Sequence, residues 1–333
     1  MGIRVPQFTY EGGTADAYSG NQYWYIICKS SDKENGATLT FKYDKTVDIF
    51  LVGSGGAGGS GNGASGGGGG EVLTVRGVKL SKDVGYKIRI GEGGKGAIWA
   101  NGGDGERTSF RLNSSKTYIA NGGKGGKVLT GATNDVGAPG GSGGSGGGAG
   151  TYIKGEKGGD GGVNGASGGS TTAQTAVGGS GKGGTTVGFG KAIGGNHDGV
   201  VTPSGTPRPY AIFAGGGGGS ARNEDGGKGG AGTDIFNGGG GHGGGEPDGV
   251  TNEAGGDGLA NSGGGGGGSS GHGDETPRGG NGGSGIIIIR STMPDYLPVY
   301  FNGTRLTDIY YQIGNGGTKH KLDTLTFNGT KLY

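Results

Sequence analysis

Hydrophobic and polar positions along the chain fall into three regimes. Within residues 1–52, QYWYIIC (22–28), TLTFKY (38–43) and VDIFLV (47–52) are rich in β-branched and aromatic residues and are bounded by Gly, Asn and Asp, the pattern of β-strands. LTFKY alternates and is expected to be half buried, whereas IFLV is continuous and is expected to be buried on both sides. No stretch of twelve or more residues shows a helical period, so almost no α-helix is expected. Residues 53–290 are glycine runs interrupted by strand-like pieces: EVLTVRGVKL (71–80), YKIRI (86–90), KTYIA (116–120), AIF (211–213) and GIIIIR (285–290). In residues 291–333, Phe301-Asn302-Gly303-Thr304-Arg305-Leu306 is echoed by Phe327-Asn328-Gly329-Thr330-Lys331-Leu332. Asn-Gly between such residues is a strong hairpin signal, because a type I′ turn needs positive φ at both central positions. Two hairpins are expected, the first over roughly Val299 to Tyr310.

The expected organisation is an N-terminal β segment (1–52) completed by strands from 71–120 and 285–290, a glycine-rich domain (53–290), and a C-terminal hairpin module (291–333). Aromatic placement agrees with this division. Of 25 aromatic residues, nine lie in 1–50 and seven in 291–333, leaving nine for the long stretch between. Large rings supply much of the buried area in ordinary cores, so the middle region must be held by something else.

That middle is dominated by glycine, of which the chain has 98 among 333 residues. Ordering a glycine in regular structure costs about 0.5–1 kcal/mol relative to alanine, and no side chain offsets it. One outcome is a disordered Gly/Ser linker. The other is a close-packed array of three-residue, polyproline-II-like turns whose outward N–H and C=O groups pair between neighbours. Each such bond contributes about 0.5–1.5 kcal/mol, the same scale as the glycine handicap. Hydrophobic strands that need burial fence the glycine runs, which favours the lattice, a polyglycine-II arrangement. Interior spirals would be pure glycine, as in GGGGGG (263–268), and surface spirals would carry one other residue per turn, as in GGSGGSGGG and GGNGGSG.

Charge excludes more than it suggests. Lys and Arg number 29 and Asp and Glu 27, a formal net charge of +2, without the basic concentration of a nucleic-acid binder. The longest aliphatic run, Ile286 to Ile289, is far short of the roughly 20 residues of a membrane helix, so no membrane insertion is expected. The start MGIRVPQFTY shows no apolar stretch of a secretory signal. Cys28 is the only cysteine and has no partner for an intramolecular disulfide.

Candidate chemistry is sparse. Gly53-x-Gly55-x-x-Gly58 with Glu71 downstream matches a dinucleotide fingerprint on paper, but GSGNGASGGGGG cannot build the helix whose N-terminus would hold pyrophosphate. His197, His242, His272 and His320 are scattered. Pairs such as His242 with Glu246 or His272 with Asp274 read as solvated loop residues rather than metal ligands. No cofactor, metal site or catalytic constellation is expected, and the protein reads as non-enzymatic. Asn113-Ser114-Ser115 reads as a turn. The outlier is 185–213, with three of the nine prolines stiffening a loop that carries aromatic and Arg side chains, typical recognition anchors. Phe189, His197, Arg208, Tyr210 and Phe213 are the candidate receptor-binding residues. The alternative is a surface connection that packs Tyr210 and Phe213 onto the lattice.

The order of features, VDIFLVGSGGAGGSG, then VLTVRGVKL and YKIRIGEGGKG, then NGGDGERTSF and IANGGKGG, and a close GGNGGSGIIIIR, resembles glycine-rich proteins encoded among phage tail and baseplate genes, and related bacterial surface proteins. The FNGT[RK]L hairpins resemble C-terminal modules of phage tail proteins. The polyglycine-II arrangement is similar to that of long-tail-fibre adhesins and of the glycine-rich extracellular domain of anaplastic lymphoma kinase family receptors, where a TNF-like or jelly-roll-type β-sandwich accompanies it. The resemblance implies a tail-fibre or tail-tip adhesin on the virion, assembled in the host cytoplasm and exposed outside it. Its partners would be other virion proteins of fibre, tail or capsid and a bacterial surface receptor, protein or glycan, with homo-oligomerisation left open. Phe301, Asn302, Gly303, Phe327, Asn328 and Gly329 are the candidate assembly hairpins. Rival expectations are a purely structural decoration or fibre subunit and a bacterial surface adhesin.

Overall fold

The computed structural model describes residues 5–19, 24–61, 63–128, 138–150, 167, 213–220, 240–244, 253–269 and 277–291, and short strands between 300 and 331. Among these residues the protein is all-β, without a helix.

Ten strands build two five-stranded antiparallel sheets. One has the order β1 (Phe8–Glu11), β4 (Ala37–Phe41), β7 (Gly85–Arg89), β8 (Thr108–Arg111), β9 (Thr117–Ala120). The other has the order β2 (Ala15–Ser19), β3 (Trp24–Cys28), β10 (Ile286–Ser291), β5 (Lys45–Val52), β6 (Val72–Leu80). Strands from 1–52, 72–120 and 286–291 thus share the same sheets. β10 lies at the centre of its sheet, with Ile287 opposite Cys28 on one side and Leu51 on the other.

Side-chain period decides which sheet is covered where. In β4, Ala37, Leu39 and Phe41 are buried while Thr38 and Thr40 are half-buried, and β7 likewise buries only Tyr86 and Ile88 fully. That sheet therefore turns one face to the core. β3 and β10 are buried throughout, because the second sheet is covered on both faces. Trp24, Ile26, Val47, Ile49, Leu51, Ile287 and Ile289 pack against Leu39, Phe41, Tyr86, Ile88 and Phe110 of the first sheet. On the reverse face, Tyr25, Ile27, Phe50, Val52, Ile286 and Ile288 pack with Phe213 and Ala214. A continuous apolar run is the expected sequence of a strand covered on both faces.

Beside this reverse face lies a buried ion pair. Asp48 sits opposite Arg290 across β5 and β10. Its Oδ2 accepts from Arg290 Nη2 at 3.3 Å and from Arg76 Nη1 at 3.3 Å, and its Oδ1 accepts the Gly77 amide at 3.0 Å. The pairing of β5 with β6 shifts register between Val47 and Ile49, and Gly77 takes φ +66, a conformation glycine adopts without a Cβ penalty.

The glycine runs leave the sandwich from one end. Gly53 follows β5, Glu71 precedes β6, Ile90 and Gly91 follow β7, Arg107 precedes β8, Asn121 follows β9 and Gly285 precedes β10. Main-chain bonds tie these exits together: Gly53 to Glu71 at 2.8 Å, Glu71 to Asn121 at 2.8 Å, Ser54 to Glu106 at 3.2 Å and Gly285 to Gly91 at 3.0 Å, donor first in each pair.

Beyond the exits, bonding repeats every third residue. Along 53–60, Ser54, Ala57 and Ser60 donate to run 100–106, Gly55 and Gly58 donate to 277–285, and Gly56 and Gly59 donate to 63–70. The carbonyls of Ser54 and Ala57 accept from 121–128, those of Gly56 and Gly59 accept from 262–269, and that of Gly55 accepts from 91–97. Run 63–70 follows the same rule: Ser65 and Gly68 donate to 121–128, Gly66 and Gly69 to 145–150, and Gly67 and Gly70 to 262–269. In 262–269, Gly265 and Gly268 donate to 213–220, Gly266 and Ser269 to 53–60, and Gly267 to 253–258. These three runs are buried among the described residues.

Close approach, not unusual φ, demands glycine here. Along 63–70 and 262–269 only Gly63 and Gly263 have φ in the left-handed region. A Cβ at Gly55 would run into the Gly264 carbonyl, and one at Gly58 into that of Gly267. Outer runs show the complementary pattern. Asn121, Lys124 and Lys127 are exposed, while Gly123, Gly125 and Gly126 between them are buried. Neither AIF (211–213) nor its last residue adds a described strand: Phe213 lies outside the sheets, and 211–212 lie outside the described residues.

Candidate functional site

The runs pass back and forth between the sandwich and a far end of the bundle. At that far end the chain reverses between Ser60 and Gly63, and again at Ile98 and Trp99. Ser60 donates its amide to Ala100 at 3.0 Å, Ala138 to Gly63 at 3.0 Å, Gly150 to Ala138 at 2.9 Å and Gly279 to Ala97 at 3.2 Å. The described residues that flank 129–137, 245–252 and 270–276 also end there.

Ile98 and Trp99 stand out at this end, with relative exposures of 61% and 45%. Trp99 has φ +49, an outlier for a bulky residue. Its amide donates to Ser60 Oγ at 3.2 Å, and that hydroxyl donates to the Pro277 carbonyl at 2.8 Å. Ser269 Oγ donates to the same carbonyl at 2.7 Å, and the Val128 amide donates to Asn101 Oδ1 at 2.8 Å. The indole edge and the Val128 side chain lie over Gly61, where a Cβ would collide with both. The turn is thus tied to three separate runs, and its two apolar side chains are exposed. Nothing in the sequence beyond an apolar pair between glycine runs marked this turn, and sequence reasoning did not single it out.

Charged residues line the flanks. Lys124 Nζ donates to Asp104 Oδ2 at 2.8 Å and the Gly125 amide to Asp104 Oδ1 at 2.9 Å. Burial pulls the Asp104 carboxyl upward, but the Lys124 ammonium and the Gly125 amide outweigh it and hold it below its ordinary range. Arg278 grips Asp257 with both guanidinium nitrogens, at 3.0 and 3.2 Å, and the Asn281 amide adds a third bond at 2.8 Å. The Asp257 carboxyl is likewise lowered against the upward pull of burial. Among the described residues no group of three or more His, Cys, Asp or Glu is placed to hold a metal ion, and no helix is long and apolar enough to cross a membrane. Asn113 forms the β8–β9 turn, accepting the Ser115 amide at 3.0 Å.

Of the loop residues singled out from sequence, Phe189, His197, Arg208 and Tyr210 lie outside the described residues. Phe213 is fully buried rather than exposed, with its ring 5.2 Å from that of Phe50. A ring of this size next to Phe50 completes the cover of the second sheet.

In the C-terminal module, β11 (Tyr300–Phe301) pairs with β12 (Thr304–Arg305), placing Phe301 opposite Thr304. β15 (Thr326–Phe327) pairs with β16 (Thr330–Lys331), placing Phe327 opposite Thr330. The connecting Asn302, Gly303, Asn328 and Gly329 lie outside the described residues. Between these hairpins is one that the sequence reading missed: β13 (Tyr310–Gln312) pairs with β14 (Lys319–Lys321). The described pairing of the first hairpin reaches Arg305, and Tyr310 pairs in the second.

Comparison with known proteins now places this architecture. The model of the glycine-rich domain family matches residues 31–292, and the chain belongs to that family. The match takes in β4 through β10 and every described glycine run, and stops before the C-terminal hairpins. No curated protein shows significant similarity to the chain.

Proposed function

We propose that the chain is a non-enzymatic receptor-binding adhesin of a tailed-phage virion, in which a polyglycine-II lattice holds recognition elements at a fixed distance from a jelly-roll-type sandwich. The observation that carries the reading is the three-residue recurrence of main-chain bonding along 53–60, 63–70 and 262–269. Three residues per turn is the repeat of a polyproline-II-type spiral, and successive amides then point to three different neighbours. Such a core is stiff without bulky side chains. Elements mounted on it lose little further freedom when a ligand binds, which favours affinity. The Ile98–Trp99 turn supplies a preorganised apolar contact at the end far from the sandwich.

The partners in this reading are other virion proteins and a bacterial surface receptor, at a tail-fibre or tail-tip position. The test is competition. Purified full-length protein added to host cells should occupy the receptor and block adsorption of the phage that carries it, and Trp99→Ala should weaken the block. Wild-type protein that neither binds cells nor reduces adsorption overturns the reading.

A further inference from the structure

The three hairpins share one centre. The paired strands 300–301 with 304–305, 310–312 with 319–321 and 326–327 with 330–331 are symmetric about Asn302-Gly303, Asn315-Gly316 and Asn328-Gly329. Those Asn-Gly pairs are thirteen residues apart each time. The module is therefore a threefold array of one hairpin unit, not two hairpins and a linker.

Each unit also has the same division of labour between its strands. The incoming strand carries aromatic and hydroxyl-bearing or amide residues, and the outgoing strand carries bases. Tyr300 lies opposite Arg305, Tyr310 opposite Lys321, Tyr311 opposite His320 and Thr326 opposite Lys331. No paired position is acidic. Of the module's three aspartates, Asp295 precedes the first hairpin in sequence, and Asp308 and Asp323 fall between the paired strands of successive hairpins. Residues 300–333 hold Arg305, Lys319, Lys321 and Lys331 against Asp308 and Asp323, a surplus equal to the whole chain's formal +2. The remainder of the protein is neutral, so its excess positive charge sits in this array.

We propose that the C-terminal array binds a linear anionic polymer of repeating unit, a phosphate- or carboxylate-bearing surface polysaccharide. The inference rests on the adhesin reading for its biological setting. A cation sits opposite a tyrosine in the first two units and opposite a threonine, next to Phe327, in the third, a composition that suits a ligand offering both an anion and the apolar face of a sugar ring. A site repeated three times suits a partner that itself repeats, because each further contact becomes intramolecular and multiplies avidity. This assigns the hairpins a different role from docking onto the particle.

Binding of the full-length chain to immobilised poly(glycerol phosphate), to polygalacturonate and to neutral dextran tests the proposal and separates the two anionic chemistries. Retention on at least one anionic polymer, none on dextran, and weakening with added salt are expected. Arg305→Gln, Lys321→Gln and Lys331→Gln should each weaken retention several-fold, and the triple variant by on the order of 100-fold or more, with the thermal melt of the sandwich unchanged. Equal retention on dextran, no retention on either anionic polymer, or a triple variant that binds as wild type overturns the proposal. So does a triple variant that keeps polymer binding and is lost from assembled particles. Protein that blocks adsorption but ignores both polymers leaves the adhesin reading intact, and protein that binds polymer without blocking adsorption leaves only the polymer site.

Discussion

The amide of Gly58 donates to the carbonyl of Gly280 at 2.9 Å, while a methyl group added at Gly58 would strike the carbonyl of Gly267 in a third run. Gly55, Gly56, Gly59 and Gly66 stand in the same double relationship, bonded to one run and pressed against another. Tolerance to mutation should therefore have a period of three. Lys124→Ala and Lys127→Ala replace exposed side chains, and each should change stability by less than about 1 kcal/mol. Gly125→Ala, whose Cβ would meet the Gly102 carbonyl, and Gly126→Ala, whose Cβ would meet that of Ser65, should each destabilise by about 1–3 kcal/mol or more. Urea melts of the four variants check this, and equal tolerance at all four positions would remove the close-packed account of the outer runs.

Cys28 offers a clean report on the sandwich. It is fully buried between the sheets, and burial pushes its thiol up to about 12, only partly offset by the Tyr10 hydroxyl. Because the thiolate is the reactive form, native protein should resist alkylation by iodoacetamide at pH 8 and become labelled only as it unfolds in urea. Mass spectrometry that finds Cys28 modified in the native protein within minutes would show that the sheets part more readily than described.

The lowered carboxyls give a pH dependence of defined sign. Folding lowers the pKa of Asp104 and of Asp257, so each contributes stability that is fully present above the unfolded value, near 4. It is lost as pH falls through the folded value. Both side chains are about half exposed, so screening keeps the effect small. The melting temperature should fall below pH 4, and the double variant Asp104→Asn with Asp257→Asn should show a shallower fall. An identical acid profile in the double variant would place the acid sensitivity elsewhere.

Trp99 is strained where it stands. Replacing it with glycine removes the penalty of a positive φ, about 1 kcal/mol, together with the exposed ring. Trp99→Gly is expected to melt at or above the wild-type temperature while losing cell binding. A variant that melts lower and binds cells normally would make this turn structural.

Much of the sandwich was legible because its strands obey the burial rule. TLTFKY alternates and lies in the sheet with one open face, while IFLV and IIII run continuously and lie in the sheet covered on both sides. β1 and β2 were not, since FTYE and ADAYS mix apolar and polar residues over only four or five positions. The role of Phe213 was hidden because its partner Phe50 is remote in sequence, and a ring in a proline-stiffened loop suggests exposure. Which glycine run lies beside which cannot be read at all, as runs without side chains carry no register. The middle hairpin escaped because its Asn315-Gly316 sits in a longer connection, between Gln312 and Lys319, and lacks the flanking phenylalanine of the other two. Asp48 and Arg290 stand near the ends of VDIFLV and GIIIIR, far apart in sequence, and only the pairing of β5 with β10 brings them together.

Hydrogen exchange on the full-length protein, read by peptide, tests the central claim most directly. If glycine main chains saturate one another, amides of 53–60, 63–70 and 262–269 will exchange as slowly as those of β5 and β10. Complete exchange of these three runs within seconds, while β5 and β10 stay protected, would contradict the account.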